Sequence, residues 1–219
     1  MAKYIYTKKQ GIHIIDLDQT LECLRQACNI IIKNMEEGKG ILFIGTKRQA
    51  KDIIEVEALR CGAAYVTERW LGGLLTNFQT IAQRIGRLKE IERMKDDGRL
   101  KLMSPKEAAQ VEREYTKLIK VFKGVKDMDS LPGIIYVVDV NKEVTAVREA
   151  SRLEIPVVAI TDTNVDPETV NYPIPGNDDS LRSIELITKI VADAVIEGRK
   201  GFEETPEEVP SEKEGASGS

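Results

Sequence analysis

The sequence predicts an α/β domain, a doubly wound parallel sheet carrying a protruding antiparallel two-helix hairpin. Three observations predict it. Helical and strand patterns alternate along the chain, the order of a parallel α/β sheet. The strand patterns are unbroken apolar runs such as "ILFI", "GIIYVVDV" and "PVVAIT", as strands are when helices cover both faces of their sheet. One insertion, residues 76–124, breaks the alternation with two long amphipathic patterns.

Taken in order, Leu17, Leu21, Leu24, Cys28, Ile31, Ile32 and Met35 fall at steps of three and four. They predict a helix from about Asp18 to Glu37, stopped by Gly38. "GILFIG" reads as a buried strand bounded by glycines. Thr46 is placed to cap a helix over Lys47 to Cys61, and Gly62 to end it. "AAYVT" is the second strand. "GIIYVVDV", from Gly133, is the third, rich in β-branched residues. Asn141 is placed to cap a helix with Val144, Val147, Ala150 and Leu153 on one face. "PVVAIT", from Pro156, is the fourth. "NYPIPGNDDS" is a proline-rich loop with a short strand at Tyr172–Ile174. The last helix runs from about Asp178 to Gly198, with Leu181, Ile184, Ile187, Val191 and Val195 inward.

In the insertion, Thr76 and Gln79 have capping-box spacing, and Phe78, Ile81, Ile85 and Leu88 follow with helical period. "KDDG" at 95–98 is a turn. Ser104-Pro105-Lys106-Glu107 opens the second arm with an N-cap, a first-turn proline and an acid at the third position. Ala108, Val111, Tyr115, Leu118 and Phe122 then step by three and four, a coiled-coil seam. Two ordinary helices lying on the sheet are the plainer alternative. The domain plan is therefore residues 1–75 with 125–201 as a discontinuous α/β domain, 76–124 as an inserted coiled-coil hairpin, and 202–219 as a disordered acidic tail.

Charge supports that division. The 219 residues carry a net charge of -4, yet residues 203–214 hold six of the 36 acids and one of the 32 bases. The remainder, with 31 bases against 30 acids, is close to neutral and can still carry basic patches. The tail is too polar to bury a core. No apolar run reaches the roughly 18 residues of a membrane span. Cys23, Cys28 and Cys61 have no CxxC spacing; Cys23 and Cys28 sit in an apolar helical pattern and read as buried free thiols, and the thiols suit a reducing compartment.

Enzyme signatures are weak. "GTKRQA" is not a phosphate loop, and no GxGxxG follows a strand. His13, the single histidine, sits in a short extended segment, "GIHIID", and has no nucleophile beside it in sequence. Asp139 and Asp162 end strands, where aspartates commonly cap a helix or fix a turn. Basic and aromatic residues cluster instead. Lys3, Tyr4, Tyr6, Lys8 and Lys9 interleave near the start. Thr46, Lys47 and Arg48 open a helix, where free N–H groups attract anions. Arg69 and Trp70 stand in "ERWLGGLLTNF". Cations neutralise phosphates, and flat rings stack on bases. The greasy, basic stretch 68–78 reads as a junction: Arg69 and Trp70 on its surface side, Leu74, Leu75 and Phe78 packed, Gly72-Gly73 turning the chain into the hairpin. A wholly structural junction is the other reading for Trp70.

"GIHIIDL", "FIGTKRQA", "YVTERWLGGLLTNFQTI", "PGIIYVVDVNKEVTAVREASRLEIPVVAITDTNVDP" and "YPIPGNDDSLRSI" resemble, in order and spacing, the bacterial-type small ribosomal subunit protein two family. The resemblance covers nearly all of residues 1–200. It implies a flavodoxin- or Rossmann-like domain with a coiled-coil hairpin, and a structural protein without catalysis. It implies binding to small-subunit ribosomal RNA between head and body, among neighbouring ribosomal proteins, and help in holding the mRNA-binding ribosomal protein one. The setting would be the cytoplasm, or an organelle with its own ribosomes, with no membrane partner, no small-molecule substrate and no required cofactor. Family members carry a further helical segment, with a "GVHFGH"-like motif, before the point that matches this start. A nucleotide-binding α/β enzyme is the alternative.

One metal reading accompanies these. Asp162 ends a strand, while Asp178 and Asp179 follow the "PIPGN" turn, so their carboxylates are expected at one sheet edge. They would hold a divalent ion weakly, through oxygens and water. A zinc ion would want nitrogen or sulfur as well, which the resemblance places on the preceding segment's histidines. The plainer reading has Asp178 or Asp179 capping the helix and Asp162 fixing the "DTN" turn.

Overall fold

The computed structural model describes residues 1, 4–9 and 12–204. Two strands, β1 (Ile5–Lys9) and β2 (Ile12–Ile15), pair antiparallel. Helix α1 (Leu17–Glu36) follows, capped by Asp16, whose carboxylate accepts from the N–H groups of Asp18 and Gln19. Then come β3 (Ile41–Ile44), α2 (Lys51–Cys61), β4 (Ala64–Val66), α3 (Phe78–Asp96), α4 (Pro105–Phe122), β5 (Ile134–Val138), α5 (Val144–Arg152), β6 (Val157–Thr161), β7 (Tyr172–Pro175) and α6 (Leu181–Glu204).

Strands β3 to β7 form one sheet in the order β4-β3-β5-β6-β7, parallel throughout. Alternation along each strand divides the core in two. Ile41, Phe43, Ile134, Tyr136, Val158, Ile160 and Ile174 face α1, α2 and α6. Leu42, Ile44, Ile135, Val137, Val157 and Ala159 face α5, the base of the hairpin and the Trp70–Leu75 stretch. Every strand residue of β3, β5 and β6 is buried, which explains their continuous apolar runs. The doubly wound expectation holds.

Arms α3 and α4 run antiparallel, joined by Arg87–Glu114 at 3.1 Å, Lys95–Glu112 at 2.8 Å and the Lys95 ammonium 3.4 Å over the Tyr115 ring. Ser104 and Glu107 close the expected capping box. Ile81, Ile85, Leu88 and Phe122 share one core cluster with the sheet, so the base of the hairpin belongs to the body.

Several local expectations are corrected. Thr46, Asn141 and Thr76 cap no helix: α2, α5 and α3 begin after Ala50, Glu143 and Asn77, none of which gives a side-chain cap bond. Leu17, Leu21, Val144, Leu153 and Leu181 are exposed. Gly198 does not stop α6. A side chain there would lie 2.6 Å from the Ile32 carbonyl, so this glycine lets α6 lie closely against α1 and the helix continues to Glu204. The beginning of the acidic tail, 202–204, is thus helical, and 205–219 lie outside the described residues.

Candidate nucleic-acid interface

In a doubly wound sheet ligands bind beyond the carboxyl ends of the strands, where the strand order reverses. Here that point lies between β3 and β5. Its polar groups are engaged with one another. The Thr46 N–H donates to the Glu143 carboxylate at 3.0 Å and its hydroxyl donates to the same oxygen. The anion that this loop attracts therefore comes from within the chain. Burial pushes the Glu143 carboxyl above its usual range, only partly opposed by Thr46.

Lys47 meets Asp178 at 2.6 Å, Asp179 at 2.7 Å and Asp139 at 3.2 Å. Burial disfavours its charge, but the bonds to Asp178, Asp179 and Asp139 outweigh burial and raise its pKa. A lysine held by three carboxylates is not a free phosphate ligand, and the expected role of Lys47 is corrected accordingly. Its neighbour differs. Arg48, on the turn Lys47–Ala50, is exposed and has no ion pair among the described residues. Lys142, after β5, is exposed and donates to the Thr46 carbonyl at 3.0 Å.

The stretch after β4 is organised by Glu149 of α5. Its carboxylate accepts from Trp70 Nε1 (3.0 Å), from the N–H groups of Gly73 (2.8 Å), Leu75 and Thr76 (3.1 Å each), and from the Thr76 hydroxyl (3.1 Å). Burial raises the Glu149 pKa, but these donors together outweigh burial and bring the carboxyl below its usual range. Gly73 takes φ +88°, a left-handed conformation that brings its N–H to the carboxylate. Trp70 is 8% exposed. With its ring in the core and its N–H bonded to Glu149, it offers no face for a base, so the structural reading of Trp70 replaces the surface one. Arg69 is exposed with no ion pair among the described residues, whereas neighbouring Glu68 bonds Lys51 at 3.0 Å.

Near the start, Tyr4 is 7% exposed and buried, so its expected stacking role is also corrected. Lys8 is exposed on β1, opposite His13. Lys3 and the side chain of Lys9 lie outside the described residues. Tyr6, 76% exposed, is the aromatic of this segment with a free face.

The acids converge as expected. Single carboxylate oxygens of Asp162, Asp178 and Asp179 lie within 4.8 Å of one another. None caps α6. Asn177 accepts from the N–H groups of Asp179 and Ser180 and shapes that turn, while Asp162 takes the N–H groups of Thr163 and Asp178. Asp178 is nearly enclosed, at 3% side-chain exposure, and its Oδ2 has no hydrogen-bond partner. Burial, first of all, lifts its pKa against the pull of Lys47.

A family profile described as "Ribosomal protein S2" matches residues 1–198. The chain belongs to the ribosomal protein S2 family. Its relatives include proteins named small ribosomal subunit protein uS2. The one from Endomicrobium trichonymphae is 52% identical over 199 residues, covering 91% of this chain and 82% of that protein. The one from Dictyoglomus thermophilum is 50% identical over 199 residues, 91% and 81%. The one from Treponema pallidum strain Nichols is 50% identical over 197 residues, 90% and 68%. This is a family of structural constituents of the small ribosomal subunit, acting in translation and not as enzymes. Among the described residues no helix is long and apolar enough to cross a membrane.

Membership in the S2 family accords with the crevice, where a nucleotide would have to displace Lys47 and Glu143 from their partners. Reading the sequence missed Glu143, Glu149 and the exposed face of Tyr6. The two glutamates sit 97 and 73 to 79 residues from their partners, and in a helical pattern they look like solvated positions. The sequence did not separate Tyr6 from Tyr4: two residues apart, they would share one face of a regular strand, whereas β1 begins only at Ile5 and its register shifts between Ile5 and Thr7.

Proposed function

We propose that the chain binds small-subunit ribosomal RNA between head and body, through the basic side of its sheet edge and its N-terminal hairpin. The carrying observation is that Arg48 and Arg69 project, exposed and without ion pairs among the described residues, from the loops after adjacent strands β3 and β4. Lys8 and Tyr6 add an exposed cation and ring. In this reading residues 1–75 and 125–201 are the RNA-binding domain, 76–124 the inserted coiled-coil arm and 202–219 an acidic tail. The protein works in the cytoplasm, beside other small-subunit proteins, and helps hold ribosomal protein one, as the resemblance implies.

Salt dependence tests it. Each phosphate neutralised contributes roughly 0.7–0.9 to the slope of log K against log salt. Replacing Arg48 and Arg69 with alanine is expected to lower the slope by about 1–2, weakening binding across RNA sequences. An unchanged slope would remove both arginines from the interface.

The three aspartates support a second, weaker site. A divalent ion would satisfy the orphan Asp178 Oδ2, with Asp162 and Asp179 beside it. Lys47 already supplies one positive charge, so the ion competes with it. Titrating the full chain with magnesium is expected to show weak binding that strengthens in Lys47→Met. Equal absence of binding in both proteins contradicts a metal there.

A further inference from the structure

The second arm of the hairpin carries an uncompensated line of charge. Lys106, Gln110, Arg113, Lys117 and Lys120 are all exposed and follow one another at steps of four, three, four and three. That spacing keeps them on one face of a helix. The apolar seam of the same helix, Ala108 to Phe122, has the same period and starts two residues later than Lys106. Two residues along a helix is roughly 200°. The cations therefore run along the side turned away from the seam.

A solvated helix face ordinarily mixes both signs. This one does not, because the acids of α4 are engaged elsewhere. Glu107 accepts from the Ser104 N–H and hydroxyl in the capping box. Glu112 pairs with Lys95, and Glu114 takes both Nε and a terminal nitrogen of Arg87. Lys106, Arg113 and Lys117 have no ion pair among the described residues, and Lys120 reaches Glu68 only at 4.0 Å. Like charges at such spacing repel, so the isolated helix gains nothing from the arrangement.

We propose that this face of α4 docks along the phosphate backbone of double-helical RNA, a contact separate from the sheet edge. The inference rests on the RNA-binding reading above and adds a surface and a ligand form to it. From Lys106 to Lys120 the line is about 21 Å long at 1.5 Å per residue. A duplex presents a charge roughly every 1.7 Å of its axis, taking the DNA value. The four cations of this line, with the neutral Gln110 between the first two, thus each meet a phosphate along its length. A shallow groove of about 510 Å³ runs beside it, lined by Lys106, Ala109, Gln110, Arg113, Glu114 and Lys117, and Glu114, the acid among them, is already held by Arg87. Paired RNA fits better than single strands, which are held by stacking on aromatic faces. The aromatic residues of α4 are withdrawn: Tyr115 lies under Lys95, and Phe122 is buried.

The test is a full-chain Lys106→Gln, Arg113→Gln, Lys117→Gln triple variant, measured against an RNA hairpin duplex over a range of salt. With three contacts removed, the slope of log K against log salt is expected to fall by about 2–3. A variant exchanging lysine and arginine at the same positions should keep most of it. Helicity and Tm should match the wild type, since these side chains are exposed and have no acidic partner. An unchanged slope in the triple variant, while Arg48→Ala with Arg69→Ala lowers it, overturns the α4 contact and leaves the RNA reading standing. Absence of salt-dependent RNA binding by the wild type overturns both. Loss of binding to poly-glutamate with RNA binding intact makes the partner an acidic protein, and also overturns the proposal.

Discussion

A carboxylate in the middle of α5 accepts five hydrogen bonds from a single loop. Four of the donors are N–H groups of Trp70, Gly73, Leu75 and Thr76. Each donor left buried and unpaired costs about 1–3 kcal/mol, so Glu149→Gln is expected to destabilise the protein by about 3 kcal/mol, read by denaturant unfolding. The pH dependence follows from the lowered pKa. The folded value lies below the unfolded one, so the stabilisation is fully present above the unfolded value near 4.5 and is lost as pH falls through the folded value. Wild-type stability should therefore fall more steeply than that of Glu149→Gln as pH drops below about 4.5. Parallel curves would show that the carboxylate does not carry the loop.

At the scale of elements, the hairpin has two parts with different attachments. Its base, with Ile81, Ile85, Leu88 and Phe122, shares a core with the sheet. Farther out, Lys95 of α3 meets Glu112 and the Tyr115 ring of α4. Excising residues 91–112 with a short glycine linker should leave one cooperative unfolding transition. Leu88→Ala, in a fully buried site, should lower stability by about 2–5 kcal/mol. If the excision instead abolishes cooperative unfolding, the outer arm is part of the core. The element pattern itself was legible, because period-2 and period-3.6 burial leaves its mark within a few residues. Helix starts were legible only in part: the Ser104 capping box was, whereas Thr46 and Thr76 have capping chemistry that distant glutamates claim.

Across the whole molecule, charge is divided along one sheet edge. Arg69, Arg48 and Lys142 follow β4, β3 and β5, while Asp162, Asp178 and Asp179 gather beyond β6 and β7. The α/β class and the convergence of those acids could be read in the sequence, since a parallel sheet follows from alternation and puts the carboxyl ends of its strands along one edge. Which cations are free could not. Lys47 and Arg48 are adjacent and chemically alike, and only the fold brings Asp178, 131 residues away, onto one of them. Trp70 likewise looks exposed beside Arg69 until Glu149 is seen beneath it. The division predicts how the chain meets RNA, with the basic side toward phosphate and the acidic side held closed by Lys47. A density map of the small subunit containing this chain tests that most directly. The account predicts Arg48 and Arg69 against phosphate oxygens, with Lys47 still among Asp139, Asp178 and Asp179 and Trp70 still on Glu149. Lys47 on a phosphate, or Trp70 turned out and stacked on a base, would contradict it.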